Sequence, residues 1–160
     1  MVPMQLELVA FGKNMPAWVD EGFQEYASRL PRDWKLILTE LALERRGKNS
    51  DQARIDLREA QRMRGALCTG ARSVALAVEG ERWSTEQLAD KMSQWNLNYR
   101  QVTFLIGGPE GLPGQLQTEA NEVWSLSPLT LPHPLVRVVV AEQLYRAWSI
   151  LNGLPYHRGC

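Results

Sequence analysis

Histidine and cysteine are scarce in this chain, with two of each among 160 residues. Cys68 and Cys160 stand far apart, which argues against a disulfide framework and suits a reducing, cytoplasmic setting. With only His133 and His157 beside them, no metal centre is expected. No run of about 18 apolar residues occurs, and no basic segment leads into an apolar core at the N-terminus. Neither a membrane span nor a secretory leader is therefore expected. A G-x-S-x-G elbow, an H-E-x-x-H pair, a phosphate loop ending in Lys-Ser/Thr and the G-x-G-x-x-G spacing of dinucleotide sites are all missing as well. These absences weigh against serine hydrolases, zinc peptidases, small kinases and dehydrogenases.

The length fits one domain, 1–160, able to bury about 70% of its unfolded surface and so to fold on a hydrophobic core alone. Net charge is zero, but its distribution is uneven. Between Arg45 and Arg72 stand eight basic residues (Arg45, Arg46, Lys48, Arg54, Arg58, Arg62, Arg64, Arg72) against three acids (Asp51, Asp56, Glu59). A surplus of this kind marks either a surface for a polyanion or a solvated helix face.

Alternation of Leu6, Leu8 and Ala10 with Glu7 and Val9 predicts a first strand, broken by Gly12. A helix to about Arg29 follows, with Asn14 as its cap and Pro16 in its first turn. Lys35–Leu41 reads as a second strand. Asn49 and Gln52 suggest a capping box for a helix over about 50–64, on which Arg54, Arg58 and Arg62 share a face. Ser73–Val78 reads as a buried third strand, and Ser84 with Gln87 caps a helix to about Asn96. Gln101–Ile106 is a fourth strand, 113–120 a short helix, Glu122–Leu126 a fifth strand and Leu135–Leu151 a long amphipathic helix before a tail, 152–160. Strands alternating with helices predict an α/β fold, a mostly parallel sheet with helices on both faces. In such sheets ligands bind beyond the carboxyl ends of the strands, here the loops after Val78, Ile106 and Leu126.

Two of those loops are unusual. Ile106-Gly107-Gly108-Pro109-Glu110-Gly111 strips side chains from a strand end, letting the backbone turn sharply and approach a ligand. Leu126-Ser127-Pro128-Leu129-Thr130-Leu131-Pro132-His133-Pro134 is apolar, yet its prolines forbid helix or central strand. A long apolar loop needs a cover, either a subunit partner or an apolar cofactor held by loop backbone groups. His133, fixed between two prolines, reads more readily as a hydrogen-bonded structural residue than as a catalyst. Pro155-Tyr156-His157-Arg158 gathers aromatic, titratable and cationic groups in the tail, where composition alone predicts a solvated end.

Taken with Trp124-Ser125-Leu126-Ser127, Leu129-Thr130-Leu131-Pro132-His133-Pro134-Leu135-Val136-Arg137, Glu142-Gln143-Leu144-Tyr145-Arg146-Ala147-Trp148-Ser149-Ile150, Arg46-Gly47-Lys48-Asn49 and the Leu6–Trp18 segment, these stretches closely resemble the RlmH family. Its members are bacterial large-subunit ribosomal RNA methyltransferases of the SPOUT, or trefoil-knot, class. The resemblance implies methylation, with S-adenosylmethionine, of N3 of a pseudouridine in helix 69 of 23S rRNA on the assembled ribosome. It also implies a homodimer and a C-terminal trefoil knot, which pattern rules alone would have excluded. Carried over residue by residue, it assigns cofactor binding to Leu76, Gly107, Gly108, Leu126, Ser127, Pro128, Leu129, Thr130 and Leu131, and catalysis to Tyr156, His157 and Arg158. This chain departs from the family pattern at Ala77, where an acid is common, and at Gly80-Glu81, where Gly-Lys is common. A ribosome-binding module without turnover is the competing reading those departures favour.

Overall fold

The computed structural model describes residues 2–158, so Gly159 and Cys160 of the expected tail lie outside the described residues. Five strands form one parallel sheet: β1 (Gln5–Phe11), β2 (Leu36–Leu41), β3 (Arg72–Arg82), β4 (Gln101–Ile106) and β5 (Glu122–Ser125), in the order β2-β1-β4-β3-β5. Between and after them run α1 (Ala17–Ala27), α2 (Gln52–Ala66), α3 (Thr85–Asn98), α4 (Gly114–Glu119) and α5 (His133–Leu151). The α/β layering expected from the sequence is the layering observed.

Alternation along the strands sorts side chains onto two faces. On one, Leu6, Leu8 and Ala10 join Val74, Phe104 and Ile106 against α1, α3 and α5. On the other, Val9, Phe11, Ala75 and Leu105 meet Ala60 and Met63 of α2 and Leu116 of α4. The chain thus leaves adjacent strands β3 and β4 toward opposite faces, through α3 and α4. That divergence opens a crevice at their carboxyl ends, where doubly wound sheets bind ligands.

Helix starts follow local chemistry, with two corrections to the sequence reading. The capping box of α3 is present, Gln87 N–H donating to Ser84 Oγ (3.0 Å) and Ser84 N–H to Gln87 Oε1 (2.8 Å). For α2, however, the cap is Asp51, which accepts from Ala53 N–H at 3.0 Å. Ser50 Oγ is engaged by Gly47 N–H and Asn49 lies in that turn, so an equally good cap two residues on begins the helix. Asn14 does not cap α1. Its φ of 59° places it in a left-handed turn, and Pro16 occupies the cap position with no side-chain bond.

The third strand outruns its expected end at Val78. Trp124 partners both Leu76 and Glu81, so residues 77–80 bulge out of the ladder. Gly80 makes the return possible: a Cβ there would sit 2.8 Å from the backbone of Val123 and Trp124. Bulges re-aim side chains beside functional sites, and this one turns Ala77, Val78 and Glu79 toward the crevice.

Candidate active site

At the carboxyl ends of β3, β4 and β5 lies a cavity of about 530 Å³, within the range of small-molecule and cofactor sites. Three segments wall it: the bulge from Leu76 to Glu79, the turn from Ile106 to Leu112, and Leu126, Ser127 and Leu129–His133 of the proline-rich loop. Gln117, Trp124 and Val136 complete the lining. The glycine turn folds on itself, Gly111 N–H donating to Gly108 O at 2.9 Å. A Cβ on Gly107 would lie 2.3 Å from Gly111 C and Leu112 N, and one on Gly108 2.6 Å from Leu43 Cδ2. Gly107 therefore has no room for a side chain, whereas at Gly108 the Leu43 side chain would have to move aside. The proline-rich loop is braced by Ser127, whose Oγ accepts from Leu129 N–H (3.0 Å) and whose carbonyl accepts from Ser125 Oγ (3.1 Å).

The structure therefore brings together eight of the nine residues expected to enclose a cofactor. Pro128 is the exception, exposed outside the wall. The loop is shorter than the sequence predicts, since α5 begins at His133 rather than Leu135. His133 lines the cavity, and its Nδ1 is buried with no partner among the described residues. Burial, then the charge of Arg137, lowers its pKa, so the ring is neutral at neutral pH. Two carboxylates, Glu79 and Glu110, face the same space. None of these three was a sequence-level site residue; the bulge aims Glu79 inward, the turn Glu110, and the start of α5 His133.

Behind His133, one helical turn along α5, Arg137 is wholly buried. Its Nη1 donates to Glu40 Oε2 (2.5 Å) and its Nη2 to the carbonyls of Gly12 (2.7 Å) and Phe11 (3.1 Å). One side chain thereby ties the ends of β1 and β2 to the helix that frames the cavity.

Tyr156, His157 and Arg158 are placed elsewhere: none lines this cavity. A short 3-10 turn, Pro155–His157, packs Tyr156 edge-on against Tyr145, with ring centroids 4.6 Å apart. Tyr156 Oη donates to Glu142 Oε1 at 3.2 Å, with Arg146 over the ring at 4.9 Å. Burial, then the Glu142 charge, pushes the phenol up to about 12, so Tyr156 is a donor and not a base near neutrality. His157 Nδ1 is buried without a partner among the described residues, and Arg158 is exposed. Glu142 lies nine residues beyond His133, about 13 Å along the helix.

The basic surplus is largely neutralised. Arg58 and Arg62 pair with Glu44, Arg64 with Glu119, Arg72 with Glu122, and Arg46 with Glu59 and Glu110. Among the described residues Arg45, Lys48 and Arg54 are exposed and pair with no acid. Among the described residues, too, no group of three or more His, Cys, Asp or Glu could hold a metal, and no helix is long and apolar enough to cross a membrane.

The model of a family described as predicted SPOUT methyltransferase matches residues 4–157. The chain is 52% identical to the ribosomal RNA large subunit methyltransferase H of Pseudomonas aeruginosa strain LESB58, over 97% of this chain and 100% of the relative. The chain belongs to the RlmH family of SPOUT methyltransferases. A relative of the same name from Hahella chejuensis is 50% identical over 97% of this chain and 99% of its own. Among solved structures, a probable methylase family protein from Haemophilus influenzae Rd KW20 superposes with a TM-score of 0.56 at 8% identity, covering 96% of this chain and 70% of that one. At that identity the likeness concerns the fold alone, and it agrees with the sheet of this RlmH-family methyltransferase.

Proposed function

We propose that this methyltransferase uses S-adenosylmethionine to methylate N3 of a pseudouridine in helix 69 of 23S rRNA, on the assembled ribosome and in the cytoplasm. The observation that carries the reading is the cavity at the ends of β3, β4 and β5, with its side-chain-free turn and apolar loop. Its residues fit the donor. The apolar Leu76, Leu126, Leu129 and Leu131 suit an adenine ring, Gly107 and Gly108 offer backbone at close range, and Glu79 and Glu110 suit a cationic ligand. Bound there, S-adenosylmethionine supplies an activated methyl group, so the protein's task is mainly alignment. A neutral His133 in the wall adds no positive charge to repel it.

The acceptor N–H must lose its proton as the methyl arrives, and the ring oxygens gain negative charge. In our reading Arg158 offsets that charge, His157 takes or relays the proton, and the protonated Tyr156 orients the base through its hydroxyl or ring. Because the tail lies along α5 away from its own cavity, the reading requires a homodimer in which one subunit's tail meets the other's cavity. α5 supports this. It is apolar nearly all round, and Val138, Val139, Tyr145, Trp148 and Leu151 remain only half-buried in one chain. Arg45, Lys48 and Arg54 would meet rRNA phosphate, adding salt-dependent affinity without sequence information.

The test is transfer of labelled methyl to ribosomes lacking the modification, with ribosomes lacking the pseudouridine as control. Label at N3 of the helix 69 pseudouridine, much reduced on the control, is the expected result. A folded protein that binds the cofactor but labels neither would overturn the proposed target, and failure to bind the cofactor would overturn the reading of the cavity.

A further inference from the structure

The β2–α2 connection, residues 42–51, carries a cluster that the reaction above leaves without a role. Arg46 Nη1 and Nη2 donate to the two carboxylate oxygens of Glu59 at 3.0 and 3.2 Å, and its Nε donates to Glu110 Oε2 at 2.7 Å. Nη1 also reaches the Glu44 carbonyl at 2.9 Å. Glu59, on α2, is 1% exposed and accepts the Glu44 N–H as well (2.9 Å). Leu43 of the same connection closes over Gly108. The guanidinium thus joins three elements: a buried carboxylate on a helix, the connection, and the glycine turn of the cavity. An exposed ion pair would contribute little. A fork seated on a buried carboxylate is a directional, charge-assisted contact that fixes geometry.

We infer that Arg46 is a positioning residue for cofactor binding: anchored on Glu59, it grips Glu110 and holds the Gly107–Gly111 turn in the shape that receives the methyl donor. Arg46 is not in the cavity wall, whereas Glu110 is, so its effect passes through that carboxylate. This inference rests on the reading of the cavity as the S-adenosylmethionine site. Arg46 holds the Glu110 carboxyl below its usual range, so the grip persists into mild acid.

The experiment is calorimetric binding of S-adenosylmethionine to the full-length protein without ribosomes, for wild type, Arg46→Ala, Arg46→Lys, Glu110→Ala and the Arg46→Ala/Glu110→Ala double variant. Arg46→Ala is expected to raise Kd about tenfold. Arg46→Lys should recover only part of that loss, because an ammonium cannot fork between two carboxylates. The double variant should be no worse than the weaker single one. Glu110→Ala guards against misfolding, since it cuts the grip at a rim residue and leaves the Arg46–Glu59 anchor intact. Amide exchange over residues 107–112 should quicken in both single alanine variants. Unchanged Kd for Arg46→Ala, or additive losses in the double variant, would overturn the inference. A wild type that fails to bind S-adenosylmethionine would instead sink the reading of the cavity beneath it.

Discussion

The cavity and the C-terminal tail, to which the proposal gives donor binding and catalysis, are built on opposite principles. The cavity is backbone-made: a turn in which Gly107 has no room for a Cβ, a bulge that interrupts β3, and a loop stiffened by proline. Its shape is held by Gly80, by Ser127 and by the buried Arg137. The tail is side-chain-made, with Tyr156 hydrogen-bonded to Glu142 and its ring resting on Tyr145 of α5. In the proposed reading the donor is recognised by shape, which backbone supplies without side-chain entropy, whereas proton and charge handling need titratable side chains. The two regions should therefore fail differently when mutated.

The largest effect is expected from Gly107→Ala. The added methyl collides with backbone that cannot rotate away, costing about 1–3 kcal/mol of stability. Cofactor binding should fall below detection by calorimetry. Arg158→Ala should do the reverse, leaving cofactor Kd unchanged while turnover on ribosomes falls about 10²–10³-fold. If each site is shared across a dimer, mixing these two inactive variants restores activity through one intact cavity and one intact tail. No recovery in subunits shown to exchange would mean that tail and cavity act within one chain.

A smaller effect concerns pH. Folding depresses the His133 pKa, so below the ordinary imidazole value the unfolded chain binds a proton that the folded chain resists. Stability is complete above about pH 6.5 and declines as pH falls toward the depressed value. Protonation would also place positive charge beside a cationic cofactor, so affinity should decline over the same window. His133→Gln should flatten both profiles in parallel melting and calorimetric titrations, and an unaltered profile would locate the titration elsewhere. The smallest effect is expected from Arg54→Ala, a few-fold loss of ribosome affinity. Its signature is a salt dependence shallower by about one unit of slope, with cofactor Kd unmoved.

The sequence reading and the structure part company where neighbours in space outrank neighbours in sequence. Ser84 and Gln87 were legible as a capping box because both bonds are made within three residues. The cap of α2 was misplaced by two residues because Ser50 was already engaged by Gly47. Arg58, Arg62 and Arg64 read as one basic run, yet Glu44 and Glu119, distant in sequence, pair with them. A charge run alone does not report how many of its charges remain free.

By itself the sequence determined the period-two and helical patterning, hence five strands, their two-faced burial and the α/β class. It determined, too, that Gly107 and the prolines around His133 would leave a bare turn and a stiff loop, because those are local backbone preferences. Only the tertiary structure decided that the bulge at 77–80 faces the same space as that turn and that loop. It alone brought Arg46 to Glu110 and Arg137 to Gly12 and Glu40, and it alone set the tail against α5, apart from the cavity. These are encounters across dozens of residues, chosen by packing in three dimensions, and no periodicity along the chain encodes them.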